Sequence, residues 1–236
     1  MTAQRRRPAP AGRSAAPAAV LVAALFLAAC QPKPAPEPAA LAGDAAAGQR
    51  IAQKTCAACH GSDGNAVAPN IPKLAGQFPE YLQKQLLAFK SGAEGKPRRS
   101  SPVMEPIVAS LSQADMADVA AYFSSLALSP AKARSPARLV LGRTVFQEGD
   151  PDDDLPACVT CHRALGGGIR PDFPRIGGQN PDYVEDELAR WQQIRGHRGK
   201  LMSIIAPRLK PEERQAVADY IAELRPDGPA AQSASR

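Results

Sequence analysis

The five-residue pattern Cys-x-x-Cys-His occurs twice in the chain, at Cys56, Cys59 and His60 and again at Cys158, Cys161 and His162. Two thiols one helical turn apart, followed at once by an imidazole, match the attachment chemistry of c-type haem. The thiols add to the porphyrin vinyl groups and the histidine becomes an axial iron ligand. Two such stretches predict two covalently bound haem c groups. Paired cysteines with a histidine also suit zinc or a redox dithiol. A closed zinc site wants four ligands, however, and each stretch offers three with no fourth cysteine nearby.

The repetition extends well past the motif, as it does when a whole domain has been duplicated. A shift of 102 positions carries Pro69, Pro72, Gly76, Gln77, Pro79, Tyr81 and Leu86 onto Pro171, Pro174, Gly178, Gln179, Pro181, Tyr183 and Leu188. Phe89 then meets Trp191, and after a four-residue deletion Met104 meets Met202, Tyr122 meets Tyr220 and Leu126 meets Leu224. The halves differ mainly by an acidic insertion, Glu148 to Asp154, ahead of the second haem stretch. The 236 residues suffice for two small cores.

Each half reads as a small all-α domain. In the first, a short helical pattern from Gly48 runs into Cys56, a turn-rich loop follows His60, and Pro79 opens a helix with Tyr81, Leu82, Gln85, Leu86 and Phe89 on one face. Ser112 and Asp115 are spaced as a capping box for a final helix ending near Leu126. The expected organisation is an N-terminal domain over 48–127, a Pro/Ala-containing linker over 128–137, a C-terminal domain over 138–226 and a tail over 227–236.

Each half also has one methionine at the same place in the repeat, in the loop before the final helix. A soft thioether there suits the sixth position of a low-spin haem and favours ferrous iron. Met104 and Met202 are therefore the candidate second axial ligands. The competing reading is core filler, against which their equivalent placement argues. Met116 is a nearby alternative, but it lies on the apolar face of the final helix and has no counterpart in the second half. His197, in a basic loop, is the one histidine outside the haem stretches; it reads as a solvated residue or a propionate neighbour.

The first 29 residues have the shape of an export signal, with Arg5, Arg6, Arg7 and Arg13 ahead of a small apolar run from Ala15 to Ala29. The run is too short and too weakly apolar for a confident membrane span. It ends in Leu27-Ala28-Ala29-Cys30, which resembles a bacterial lipobox and makes Cys30 a candidate lipidation site. Ordinary cleavage would instead leave Cys30 a free thiol. Residues 30–47 are rich in proline and alanine, a tether composition with polyproline character. The formal charge of +6 belongs to the precursor; loss of the signal leaves 25 basic and 23 acidic residues. A charge near neutrality gives no support to nucleic-acid binding.

From about Gly43 to Arg225 the chain resembles the dihaem cytochromes c4, periplasmic proteins made of two tandem class I cytochrome c domains. The two Cys-x-x-Cys-His stretches, the proline and Gly-Gln pattern after each, the Pro-x-x-Tyr helix starts, Met104 and Met202 carry the resemblance. It implies that Pro72 and Pro174, each twelve residues after a haem histidine, accept that histidine's ring N–H through their carbonyls. It also implies two domains packed about a pseudo-two-fold axis with haem propionate edges facing one another. The lipobox and the tether depart from the family pattern and bear on diffusion, not on haem chemistry.

A protein of this kind is expected to carry single electrons from a quinol-oxidising cytochrome bc complex or a periplasmic dehydrogenase to a terminal oxidase or reductase, held at the membrane surface by the lipid. With both axial positions filled, no substrate reaches iron and catalysis is not expected. A dihaem peroxidase would need an open iron site and a thiosulfate dehydrogenase a cysteine ligand, which this sequence does not supply. An electron-accepting subunit of a larger membrane complex is the remaining reading. The acidic insertion predicts a lower potential for the C-terminal haem, since negative charge stabilises ferric iron.

Overall fold

A computed structural model describes residues 42–90, 95, 97–193 and 201–226. The signal segment, Cys30, most of the tether, His197 and the tail lie outside them. Among the described residues every regular element is helical, and β pairing is confined to two isolated bridges, Asp150 with Leu155 and Ile169 with Phe173. No helix among them is long and apolar enough to cross a membrane.

Among the described residues ten α-helices divide into two sets of five: α1 (Ala45–Thr55), α2 (Ala57–His60), α3 (Pro79–Phe89), α4 (Met104–Ala109) and α5 (Gln113–Ser125), then α6 (Leu139–Glu148), α7 (Val159–His162), α8 (Pro181–Gln193), α9 (Met202–Ile205) and α10 (Pro211–Glu223). The repeat read from sequence is thus a repeat of structure. The first helix begins three residues before Gly48 because Asp44 caps it, its carboxylate accepting from Ala46 N–H at 2.8 Å and Ala47 N–H at 3.3 Å. Pro79 and Pro211 open α3 and α10 at positions where a missing N–H costs nothing. The capping box of α5 is formed, with Ser112 Oγ accepting from Asp115 N–H at 3.1 Å and Asp115 Oδ2 accepting from Ser112 N–H at 2.8 Å.

The first and last helices of each half cross at a glycine, and at these two positions the absence of a side chain decides the packing. A Cβ on Gly48 would stand 1.9 Å from the Asp118 carbonyl oxygen of α5, and one on Gly142 would stand 2.1 Å from that of Ala216 in α10. The cores gather around these crossings. Ala52, Leu82, Val119, Ala120, Tyr122 and Phe123 form that of the first half, with Phe89, Val108, Leu111 and Met116 beside it. Val145, Phe146, Leu155, Leu209, Val217 and Ile221 are prominent in that of the second.

Two stretches are more ordered than their sequence suggests. The linker lies on the second half: Ala131 N–H donates to Gly178 O at 2.9 Å, and Arg134 Nε donates at 2.8 Å to Asp219, whose side chain is fully buried. The acidic insertion closes on itself through paired backbone bonds between Asp150 and Leu155, at 2.9 and 2.8 Å. Its carboxylates meet cations: Lys210 Nζ lies 2.8 Å from Asp150 and 2.6 Å from Asp153, and Arg208 Nη1 lies 3.4 Å from Asp154. Three carboxylates of the insertion, those of Asp150, Asp153 and Asp154, thus lie beside cations, supplied by Lys210 at the N-cap of α10 and Arg208 just before it.

Candidate haem sites

Cys56 ends α1 and begins α2, so a single turn carries Cys56, Cys59 and His60, and α7 does the same for Cys158, Cys161 and His162. Burial pushes the thiols of Cys56 and Cys158 up to about 11, so both are protonated at neutral pH. Cys56 and Cys158 pack against the apolar cores, whereas Cys59 is exposed and Cys161 intermediate. The first cysteine of each pair is thus fixed by the core, and in the first half the second one faces outward.

Each histidine is oriented by a carbonyl. His60 Nδ1 lies 3.0 Å from Pro72 O, and His162 Nδ1 lies 3.0 Å from Pro174 O. A carbonyl oxygen can only accept, so the proton sits on Nδ1 and the lone pair on Nε2. Burial lowers the pKa of both imidazoles, offset in part by these hydrogen bonds, which keeps them neutral. A neutral imidazole with Nδ1 engaged and Nε2 available is the form that binds iron. The donor set therefore fits a covalently held haem: two cysteine side chains for the vinyl groups, and one ring nitrogen for the metal.

The loops around the histidines are built alike. Gly64, at φ 72°, accepts from Leu74 N–H at 2.8 Å, and Gly166, at φ 68°, accepts from Ile176 N–H at 2.8 Å. These left-handed glycines fold the chain so that the two prolines come back over their histidines. Gly76 N–H and Gly178 N–H then tie each loop to the final helix, donating to Phe123 O at 3.0 Å and Ile221 O at 2.9 Å.

Met104 and Met202 each open a short helix, α4 and α9, rather than lying in a loop, and both are partly buried. Met104 N–H donates to Ser101 Oγ at 3.2 Å, which fixes the start of its turn. Met116 is fully buried among Phe89, Val108 and Leu111, as core packing requires.

Several residues that position the sites had no isolated signal in the sequence. Arg99, read as part of a basic loop, is buried: it donates to Gln85 at 2.8 Å and to Tyr183 Oη at 3.1 Å, and pairs with Glu187 at 3.0 Å. Asn180 donates to the carbonyls of Ala66, Ala68 and Ile71. Gln77 and Gln179 were visible only as members of the repeat.

Comparison with known proteins gives a consistent result. The family model for cytochrome c matches twice, over residues 45–127 and 139–225. Cytochrome c4 of Pseudomonas aeruginosa is 41% identical over 187 residues, covering 78% of this chain and 90% of that protein. The thiosulfate dehydrogenase electron acceptor of Stutzerimonas stutzeri is 36% identical over 182 residues, covering 75% and 82%. Among solved structures, reduced recombinant cytochrome c4 from Pseudomonas stutzeri superposes with a TM-score of 0.71 at 38% identity, covering 78% of this chain and 100% of that one.

Proposed function

This chain belongs to the cytochrome c4 family, and on that premise we propose that it is a periplasmic carrier that relays single electrons between membrane-associated redox proteins. It is an electron-transfer cytochrome with two covalently attached haem c groups. The observation that carries the proposal is the site geometry repeated in both halves, a neutral histidine with its Nδ1 held 3.0 Å from a proline carbonyl.

Bound haem c supplies a one-electron iron couple. The chain's own residues do the rest. Cys56, Cys59, Cys158 and Cys161 would fix the group, and His60 with Met104 and His162 with Met202 would ligate its iron. Iron held by two protein ligands would be closed to water and small molecules, which suits electron transfer and not catalysis. The donor would be a quinol-oxidising cytochrome bc complex or a dehydrogenase, and the acceptor a terminal oxidase or reductase. Leu27 to Cys30 supports a lipid anchor on Cys30, with 31–47 as the tether.

A second reading has its own observation. The similarity to a thiosulfate dehydrogenase electron acceptor supports service as the dedicated electron-accepting partner of a dehydrogenase. One experiment tests both: purification from native membranes with haem staining. A haem-loaded chain recovered alone and reduced by a quinol-oxidising complex supports the carrier. Co-purification with a dehydrogenase in fixed stoichiometry supports the second reading, and a chain without haem would refute both.

A further inference from the structure

Of the contacts between the two halves, one is made in both directions. Gln77 of the first half faces the backbone of Arg175 in the second: its Oε1 accepts from Arg175 N–H at 3.0 Å and its Nε2 donates to Arg175 O at 2.7 Å. Gln179 returns the contact, accepting from Lys73 N–H at 2.7 Å and donating to Lys73 O at 2.9 Å. Gln77 and Gln179 are equivalent in the repeat, and so are Lys73 and Arg175. The pair of contacts is therefore one contact made twice about the axis that relates the halves.

What each glutamine grips is the peptide that orients a haem histidine. The Arg175 N–H belongs to the Pro174–Arg175 peptide, and the carbonyl of that same peptide accepts from His162 Nδ1. The Lys73 N–H belongs to the Pro72–Lys73 peptide, whose carbonyl accepts from His60 Nδ1. One planar amide thus carries a hydrogen bond at each end, from a glutamine of one half to a histidine of the other. Hydrogen bonds in such a chain polarise one another, and a firmer acceptor on Nδ1–H makes the imidazole a stronger ligand.

We propose that Gln77 and Gln179 are crossed positioning residues: Gln77 sets the donor strength of His162, the ligand of the C-terminal haem, and Gln179 sets that of His60, the ligand of the N-terminal haem. Accepting from the peptide N–H moves electron density onto the proline carbonyl. That carbonyl then holds Nδ1–H more firmly, the ring gains anionic character, and ferric iron is favoured. Each glutamine accordingly lowers the potential of the haem in the opposite half. This rests on His60 and His162 being iron ligands. A merely structural glutamine would loosen the interface and disturb both sites alike.

The test uses the full-length haem-loaded protein, with each haem followed by its own ferric haem-methyl resonances during a redox titration. Gln77→Leu should raise the potential of the haem at Cys158 and Cys161 and leave the other in place, and Gln179→Leu should do the reverse. Amide hydrogen exchange should quicken at Arg175 in the first variant and at Lys73 in the second. A shift confined to the variant's own half, equal in both halves, or absent would overturn the inference. Should either leucine variant fail to assemble, Gln77→Glu decides, because it keeps an acceptor and strengthens it by charge. In its ferrous form the His162 Nδ1–H resonance should move downfield while that of His60 stays, and two unmoved resonances would overturn the proposal. If the unmodified protein lacks a histidine-ligated spectrum at either haem, the ligand reading falls and takes this inference with it. If ligation is intact and the crossed pattern is missing, only the inference falls.

Discussion

Arg99 is the buried charge that joins the halves, and removing it should have the largest single effect on their association. Its side chain is 8% exposed and that of its partner Glu187 is 14% exposed, with 3.0 Å between them. Burial opposes the charge, but Tyr183 and Glu187 opposite it more than compensate, so the guanidinium is held charged more firmly than usual. Arg99→Met keeps the apolar stem but removes the guanidinium, whose carbon sits 4.4 Å from the centroid of the Phe89 ring. It deletes the ion pair and the bonds to Gln85 and Tyr183. Removing one member of a buried pair costs about 3–5 kcal/mol when the other is left uncompensated. Glu187 keeps Arg190 at 3.1 Å. The expected cost is therefore at the lower end, about 3 kcal/mol. Guanidinium unfolding of the haem-loaded protein, followed by far-ultraviolet circular dichroism, should show a lower midpoint at unchanged slope. Arg99→Met with Glu187→Met should recover part of the loss, since an apolar pair can replace a buried ionic one. A loss below about 1 kcal/mol, additive with that of Glu187→Met, would refute the argument.

Met104→Ala and Met202→Ala should each remove about half of the methionine-to-ferric-iron absorption band, one of two equivalent ligands being lost each time; a spectrum left intact by either would refute that ligand. Gly48→Ala drives a Cβ to 1.9 Å from Asp118 O. It should destabilise the protein by about 1–3 kcal/mol or more through overpacking, read as a fall in thermal midpoint, with Gly142→Ala behaving alike. Lys210, hydrogen-bonded to Asp150, holds that carboxyl below its ordinary value. The stability it confers is present above the usual carboxylate range and is lost as pH falls through the depressed value. In Lys210→Met, acid unfolding monitored by circular dichroism should therefore begin at a higher pH.

The all-helical, duplicated fold was legible because covalent attachment fixes residue spacing, and because Pro79, Ser112 and Asp115 announce helix starts through local chemistry. The His–Pro contacts were legible only through the family resemblance, which implies a proline carbonyl acceptor twelve residues after each haem histidine. What was not legible depends on partners distant in sequence. Arg99 looks like a solvated cation until α8 is packed over it, and Arg134 looks like linker until Asp219 is buried beneath it. The helical setting of Met104 was missed because α4 has only six residues and draws its first-turn support from Ser101 rather than from its own periodicity. Asp44 was read as tether because its alanine-rich surroundings carry no amphipathic pattern, yet one carboxylate suffices to start α1.

The crossed glutamine contacts change what counts as a unit in this protein. By core and helix order each half is complete: five helices, a haem-attachment turn and a proline carbonyl for its histidine. By the environment of the ligand neither half is complete, since the peptide that holds His60 is gripped by Gln179 and the peptide that holds His162 is gripped by Gln77. Net charge follows the same logic. The second half has more acidic residues than basic ones, 14 against 12 from Leu139 to Arg225. Yet Asp150, Asp153 and Asp154 are matched by Lys210 and Arg208, and exposed charges are screened over about 10 Å at 0.1 M salt. Close to the histidines the halves differ at equivalent positions: Phe78 in the first stands where Asn180, donating into the loop from Ala66 to Ile71, stands in the second. Buried dipoles at that range act through a low dielectric and are screened little by salt, so any difference in potential between the haems is expected to follow the interface more than the surface charge of either half.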